Sequence, residues 1–375
     1  MKYEYVEEIR KVLVDELKDY EGEPVLLDID ESVLSQVIFN NYGDVKIFVP
    51  EVYSILKKIN FSNVCFDNVC VSEVNFSNYF GVKLNPQTIA NQDLRRSTLS
   101  GVEIIGPFDG VNIAYTNFKG SKGAIINPQT VLGKNFKGTI LTDTKIIDSF
   151  DGCVLNETNF TGSACAGIDP QTVFEKSLNG CILDSATILN GNFDSVNIEK
   201  CNFNGAKGQI KINPQTIYNK SLFGTVLGGV EFIGGFHGVE LKQTDFTGSK
   251  GAIINPQTVG GRLLRHCIFN GVEFNGSFDD CVILYSNFTG SKGAIIDQTK
   301  LRQAPIREIS ISKLYGCNLR DAYVVDNLTE NDYSYAKVDG AHMISVKIDE
   351  EKEQKDYCIR KIRSIVRKNN NSMNN

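Results

Sequence analysis

Large apolar residues recur along this chain every five positions, with mostly polar residues between them. One stretch runs Phe136, Leu141, Ile146, Phe150, Leu155, Phe160. A later one runs Phe232, Phe236, Leu241, Phe246, and another Phe269, Phe274, Phe278, Ile283, Phe288. Each contains one shorter step: Ile146 to Phe150, Phe232 to Phe236, Phe274 to Phe278. Two residues before a large one there is often a small one, as with Thr116 before Phe118, Cys201 before Phe203 and Ser286 before Phe288. A helix repeats at 3.6 residues and a half-buried strand at 2, so a period of five fits neither. It predicts a coil built from short extended sides, each ending in a corner and pointing one large side chain inward.

A longer period contains the short one. Asn-Pro-Gln-Thr stands at Asn85–Thr88, Asn127–Thr130, Asn213–Thr216 and Asn255–Thr258, with an Asp variant at Asp169–Thr172. Asp297-Gln298-Thr299 is a copy that has lost its proline. The steps from Pro86 through Pro128, Pro170 and Pro214 to Pro256 are 42, 42, 44 and 42 residues. A fixed period of this length means stacked units. Eight sides, or two coils with about three surplus residues, fill each unit. Asn or Asp is a good N-cap and Pro suits the first helical position. The motif therefore predicts a short helical or 3₁₀ turn over residues 128–133 that bulges from the coil.

Ser286-Asn287-Phe288-Thr289-Gly290 and Cys201-Asn202-Phe203-Asn204-Gly205 fit a pattern of small, polar, large apolar, polar, polar. In this the chain resembles the pentapeptide-repeat family over roughly residues 59–345. The resemblance implies an all-β solenoid, a right-handed quadrilateral β-helix. Coils stack at the strand spacing of ~4.8 Å, and about 13–14 of them are expected.

The ends depart from the pattern. Residues 3–20 read as an amphipathic helix with Val6, Ile9, Leu13 and Leu17 on one face. Asp30 is placed to cap a second helix reaching about Asn40, Val45–Phe48 reads as a strand, and Pro50 starts a third helix ending near Lys58. Residues 1–58 are thus expected to be an α-rich N-terminal module. Its default role is to cap the solenoid, because an open coil exposes core and unpaired edges. The repeat body is assigned to residues 59–348, a basic C-terminal helix to 349–368 and a disordered tail to 369–375. The C-terminal helix either caps the last coil or pairs with a second copy. C-terminal dimerisation occurs in some members of the family that the chain resembles.

Composition removes several function classes. The 375 residues carry a net charge of −6. Residues 1–31 hold 11 acids against 4 bases, and residues 351–375 hold 3 against 7, so the body is nearly neutral. No run is long and apolar enough for a membrane span, and the charged start lacks a signal-peptide core, which together favour the cytoplasm. Abundant Asn and Lys fit a low-GC bacterial origin. Ten cysteines invite a metal reading, but Cys153, Cys181, Cys201, Cys267, Cys281 and Cys317 all fall in the small slot before a large residue. There a thiol serves as a small apolar filler. No Cys-x-x-Cys occurs and His237, His266 and His342 are scattered, so neither a metal, a cofactor nor a catalytic set is expected. Gly290-Ser291-Lys292-Gly293 lacks the order of a phosphate loop and recurs at Gly120 and Gly248.

Two rows of residues are candidates for contact with a partner. Gln87, Gln129, Gln171, Gln215 and Gln257 form an evenly spaced ridge. Lys122, Lys207, Lys250 and Lys292 form a column beside it, interrupted at Ala164. Both are also what duplication of a structural corner and a solvated edge would leave behind. The expected function is a non-enzymatic scaffold acting through contact with a protein that the sequence does not name. One alternative is suggested by the quinolone-resistance branch of the same family, whose members mimic DNA in a type II topoisomerase. Such mimicry needs an acidic array, which a near-neutral body does not offer. Direct nucleic-acid binding is not expected either. The other alternative is a secreted bacterial effector with Cys358 as its nucleophile, for which the termini are short.

Overall fold

Backbone amides of each coil bond to carbonyls of coils before and after it. Phe118 N donates to Ile140 O at 2.9 Å, Ile140 N to Thr116 O at 2.9 Å, and Leu141 N to Asn159 O at 2.9 Å. The structure, a computed structural model, describes residues 3–27, 29–164, 167–184, 187–302, 314–325 and 336–344. The expected C-terminal helix and tail, Cys358 and most of the irregular stretch after Leu301 lie outside these residues. Within them the chain is an all-β solenoid of about 12 coils with few helices. Two compact units form it, residues 1–192 with 201–210, and residues 193–200 with 211–375.

The first unit shows the stacking register. Thr98 pairs with Asn117, Asn117 with Ile140, Ile140 with Asn159 and Asn159 with Ile182, all parallel. In the second unit Val226 pairs with Asp245, Asp245 with Ile268 and Ile268 with Asn287. Coils of 19 and 23 residues therefore alternate, and one of each makes the 42-residue unit. Four inward residues mark a coil. Leu99, Ile104, Phe108 and Ile113 mark one, and Leu141, Ile146, Phe150 and Leu155 another, all buried. Burying each is worth roughly 1.5–3 kcal/mol against leaving it in water. Phe150 meets Phe136 edge-on at 5.3 Å and Phe160 at 5.4 Å, so rings of successive sides interlock.

The surplus residues are not in the Asn-Pro-Gln-Thr turn, as the sequence suggested. That motif is an ordinary side running from Ile126 to Val131, both buried. Asn127 Oδ1 accepts from Gln129 N at 2.9 Å and Thr130 N donates to Asn127 O at 3.2 Å, which makes a capped β-turn. The 3₁₀ turn follows later, at Leu132–Lys134. The surplus lies upstream, between Phe118 and Ile126. Lys122 pairs backward with Glu103, whereas Ile125 pairs forward with Lys145. The intervening Gly123 and Ala124 form a bulge, the usual way for a strand to absorb extra residues. Gly123 has φ +74°, and a Cβ there would sit 2.8 Å from Ile104 O. Gly251 and Gly293 repeat this against Phe232 O and Phe274 O. The four-residue step at Ile146–Phe150 returns part of the excess.

The N-terminal residues belong to the first unit. Helix α1 (Tyr3–Leu17) buries Val6, Arg10 and Leu17. Helix α2 (Glu31–Ile38) begins at Asp30, whose carboxylate accepts from Ser32 N at 2.9 Å and Val33 N at 3.3 Å. Arg10 ties the two together, donating through Nε to Val37 O at 2.9 Å and through a terminal nitrogen to Gln36 O at 3.0 Å. Two orphan carbonyls at the end of α2 are thereby satisfied. The strand β1 (Val25–Leu26) pairs with β4 (Ile59–Asn60) in parallel. The hairpin of β2 (Phe39–Tyr42) and β3 (Val45–Phe48) reaches the first coils through Lys46 N and Asn68 O at 2.7 Å. Residues 50–58 form 3₁₀ turns at Pro50–Val52 and Leu56–Lys58 rather than the expected third helix. Val52, Ile55, Leu56 and Ile59 all bury there, on spacings of three, one and three that no single α-helical face provides.

Candidate interaction surface

The glutamines of the repeated turn point along the stack. Gln129 Nε2 donates to Ser149 O at 2.9 Å and Asp151 O at 3.0 Å. Gln87 makes the same fork to Pro107 O and Asp109 O at 3.3 and 2.7 Å. Gln215 reaches Gly235 O and His237 O at 3.0 and 2.8 Å, Gln257 reaches Ser277 O and Asp279 O, and Gln171 reaches Asn192 O at 3.1 Å. Each amide thus ties its turn to the corner 20–22 residues later. On the other side of the amide, Gln129 Oε1 accepts from Lys134 Nζ at 2.5 Å, Gln171 Oε1 from Lys176 at 2.8 Å and Gln215 Oε1 from Lys220 at 3.2 Å. These lysines were not singled out in the sequence; their constant offset of five from each glutamine was the available signal.

The lysine column carries both signs of charge. Glu103 stands between Lys83 and Lys122 in the ladder, and its carboxylate lies 3.6 Å from Lys83 Nζ. Glu231 stands between Lys211 and Lys250, 3.7 Å from Lys211 Nζ. Glu273 is the ladder neighbour of Lys292. Lys207 pairs through its backbone with Thr187 O and Leu189 N, in the first unit. Such exposed pairs contribute little stability, but they keep this face near neutral. Neither a polyanion nor a basic groove is matched by alternating charge.

The thiols do more than fill space. Cys181 Sγ donates to Leu155 O at 2.9 Å, Cys201 to Leu178 O at 2.7 Å, and Cys267 to Leu241 O at 2.8 Å. Thr116, Thr139, Thr158 and Thr244 make the same bond from the same slot, to Leu94 O, Ile113 O, Phe136 O and Leu222 O. Cysteine here replaces threonine, hydrogen bond included. Burial pushes the thiols of Cys153, Cys181, Cys267, Cys281 and Cys317 up to about 12, and that of Cys201 well above its ordinary value. A thiol so raised is a poor nucleophile and a poor ligand at neutral pH. His266 stacks on Tyr285, with centroids 4.6 Å apart. Partial burial and then the charges of Arg265 and Lys242 hold its imidazole below the usual range. Among the described residues no three metal-ligating side chains converge. None of the described helices is long and apolar enough to cross a membrane.

What the surface does present is aliphatic. Ile105, Ile125 and Ile147 are 57%, 48% and 55% exposed, an unusual state for isoleucine. They line one groove of about 630 Å³, with Pro107, Asn127 and Thr130 on its floor and walls. The second unit repeats the positions with Ile233, Ile253 and Ile295, each about half exposed. Ile105 and Ile233 directly follow an inward residue (Ile104, Phe232), and Ile125 and Ile253 directly precede one (Ile126, Ile254). The sequence reading passed over this row because an Ile-Ile pair does not reveal which partner faces in.

Inward burial at every fifth residue, a small buried residue two places earlier, and parallel coils stacked on that period decide the architecture. The fold is that of a pentapeptide-repeat protein. No protein-family model matches the chain, and no curated protein does. Among solved structures the chain is similar to two trypsin-treated variants of QnrB1, described as a plasmid-mediated fluoroquinolone resistance protein. The first has 10% identity and a TM-score of 0.15, and covers 75% of this chain and 95% of the other. The second has 10% identity and a TM-score of 0.12, and covers 75% and 93%. At those scores the likeness adds nothing to the pentapeptide-repeat architecture read from the coils themselves.

Proposed function

We propose that this chain is a non-enzymatic scaffold that binds protein through the aliphatic row on its coils. The carrying observation is the exposure of Ile105, Ile125 and Ile147 around one groove, repeated by Ile233, Ile253 and Ile295. Contiguous exposed apolar surface of this kind marks interaction sites on soluble proteins. In this reading the body is a right-handed quadrilateral helix over residues 59–348, residues 1–58 close its first coil, and the protein works in a bacterial cytoplasm. The basic segment 349–368 then closes the far end or joins two copies. The glutamine ridge belongs to the scaffold's internal bracing in this account, and the alternating Lys and Glu row flanks the binding face.

The test is capture with the intact protein as bait, beside an Ile105→Lys/Ile147→Lys variant and a deletion of residues 1–58. Partners retained by the deletion and lost by the variant support the reading. Partners lost only on deletion make the N-terminal residues the working end instead and sink it.

A further inference from the structure

We infer that the aliphatic face of the first unit docks onto a second copy of this chain. The inference rests on the reading of that face as a protein-binding surface and names its occupant. Three observations point to a homotypic partner. The first is spacing. Ile105 and Ile147 follow the inward residues Ile104 and Ile146, which are two coils apart, so at strand spacing they stand ~10 Å apart along the stack. Rigid ridges at that interval are matched over several steps only by a surface with the same interval. This chain carries such a surface.

The second observation is charge. The row beside the isoleucines reads Lys83, Glu103, Lys122, one residue per coil. A two-fold axis passing between the first two of these coils sets Lys83 against Glu103 of the partner subunit, and Glu103 against Lys83 of the partner subunit. A self-complementary patch of this kind is what an isologous interface requires. A partner with one sign of charge would meet repulsion at every second coil. The third observation is shape. Asp109, Asn127 and Thr130 share the groove's lining with the isoleucines, so its polar rim lies beside its apolar centre, as in protein interfaces. The second unit holds the same elements, Ile233 and Ile253 beside Lys211, Glu231 and Lys250.

Sedimentation velocity of the full chain over a wide concentration range tests this. We expect a reversible dimer. Ile105→Lys/Ile147→Lys should raise its dissociation constant by more than ~100-fold, from two buried aliphatic contacts per protomer. Both side chains point to solvent, so an unchanged thermal melt verifies the fold. Charge complementation supplies the second arm. Glu103→Lys alone and Lys83→Glu alone should each weaken self-association, and mixing the two variants should restore it. A chain that stays monomeric at all concentrations overturns the inference. So does a dimer indifferent to the isoleucine changes, which would place the contact elsewhere. Isoleucine-dependent capture of a different protein by a monomeric chain would overturn it too, while leaving the scaffold reading intact.

Discussion

Gln129 Nε2 holds two carbonyls at once, Ser149 O at 2.9 Å and Asp151 O at 3.0 Å, across the corner of the following coil. The amide stands where two corners would otherwise present unpaired acceptors. Its own oxygen is occupied by Lys134 Nζ. The repeated glutamine is thus bound on both sides, which accounts for its presence in every copy of the turn.

Removing that fork should cost stability. Gln129→Ala is expected to lower unfolding free energy by about 1–3 kcal/mol, for two hydrogen bonds of ordinary worth. Gln215→Ala, with bonds of 3.0 and 2.8 Å, should behave alike. Chemical denaturation measures both. A loss below about 0.3 kcal/mol at both sites would show that water replaces the amide without penalty.

The bulge glycine should be less replaceable than the corner glycine. Gly123 has φ +74° and would place a Cβ 2.8 Å from Ile104 O. Gly133 has φ +60° with open space around it, and Asn91, Glu175 and Asn219 hold similar angles at the matching corner. Gly133→Ala should therefore cost only the left-handed penalty of about 1–2 kcal/mol. Gly123→Ala adds a backbone clash and should cost clearly more. Equal losses in thermal melts of the two variants would refute the distinction.

The slot thiols set a pH window. In the unfolded chain a cysteine ionises near 9, whereas Cys153, Cys181, Cys267, Cys281 and Cys317 stay neutral in the fold until about 12. Between those values the unfolded state has released protons that the native state retains. Stability contributed by the neutral thiols is therefore fully present below pH 9 and falls as pH rises toward 12. Native protein at pH 8 should be alkylated first at Cys65 and Cys70, which are half-buried. Mass spectrometry of partial labelling decides it; early modification of Cys181 or Cys267 would contradict the burial argument.

Arg10 should be indispensable to the N-terminal segment. It is 3% exposed and donates to Gln36 O and Val37 O, with Glu7 at its side. Arg10→Met removes these donors and leaves two carbonyls unpaired, an expected loss of about 3 kcal/mol or more. Limited proteolysis should then cut within residues 3–58 while the coils resist. Uniform resistance would show that other bonds hold the helices together.

How much of this was legible depended on whether the signal was local. Phe136, Leu141 and Ile146 announce the coil because inward burial repeats within a few residues. The slot cysteines were legible for the same reason, though not their bonds to carbonyls one coil back. The partners of Gln129 were hidden, since a backbone carbonyl 20 residues on leaves no mark in sequence. The surplus was assigned to the proline turn because Pro128 is conspicuous; the bulge at Gly123 shows only when Lys122 and Ile125 are seen pairing in opposite directions. Glu103 was recoverable by adding a coil length to Lys83, a step that required knowing that coils of two lengths alternate.

That alternation sets the grain in which this protein can grow or shrink. A bulge that adds three residues and a tight step that removes one must both be present before the side chains return to phase. Excising residues 99–140 would rejoin Thr98 to Leu141, a site two coils on with the same inward sense. Excising only 19 would bring two long coils together and set Gly123 beneath the wrong carbonyl. Length variation in such a chain is therefore quantised in pairs of coils, and single-coil gaps mark places where the stack has stopped being a stack.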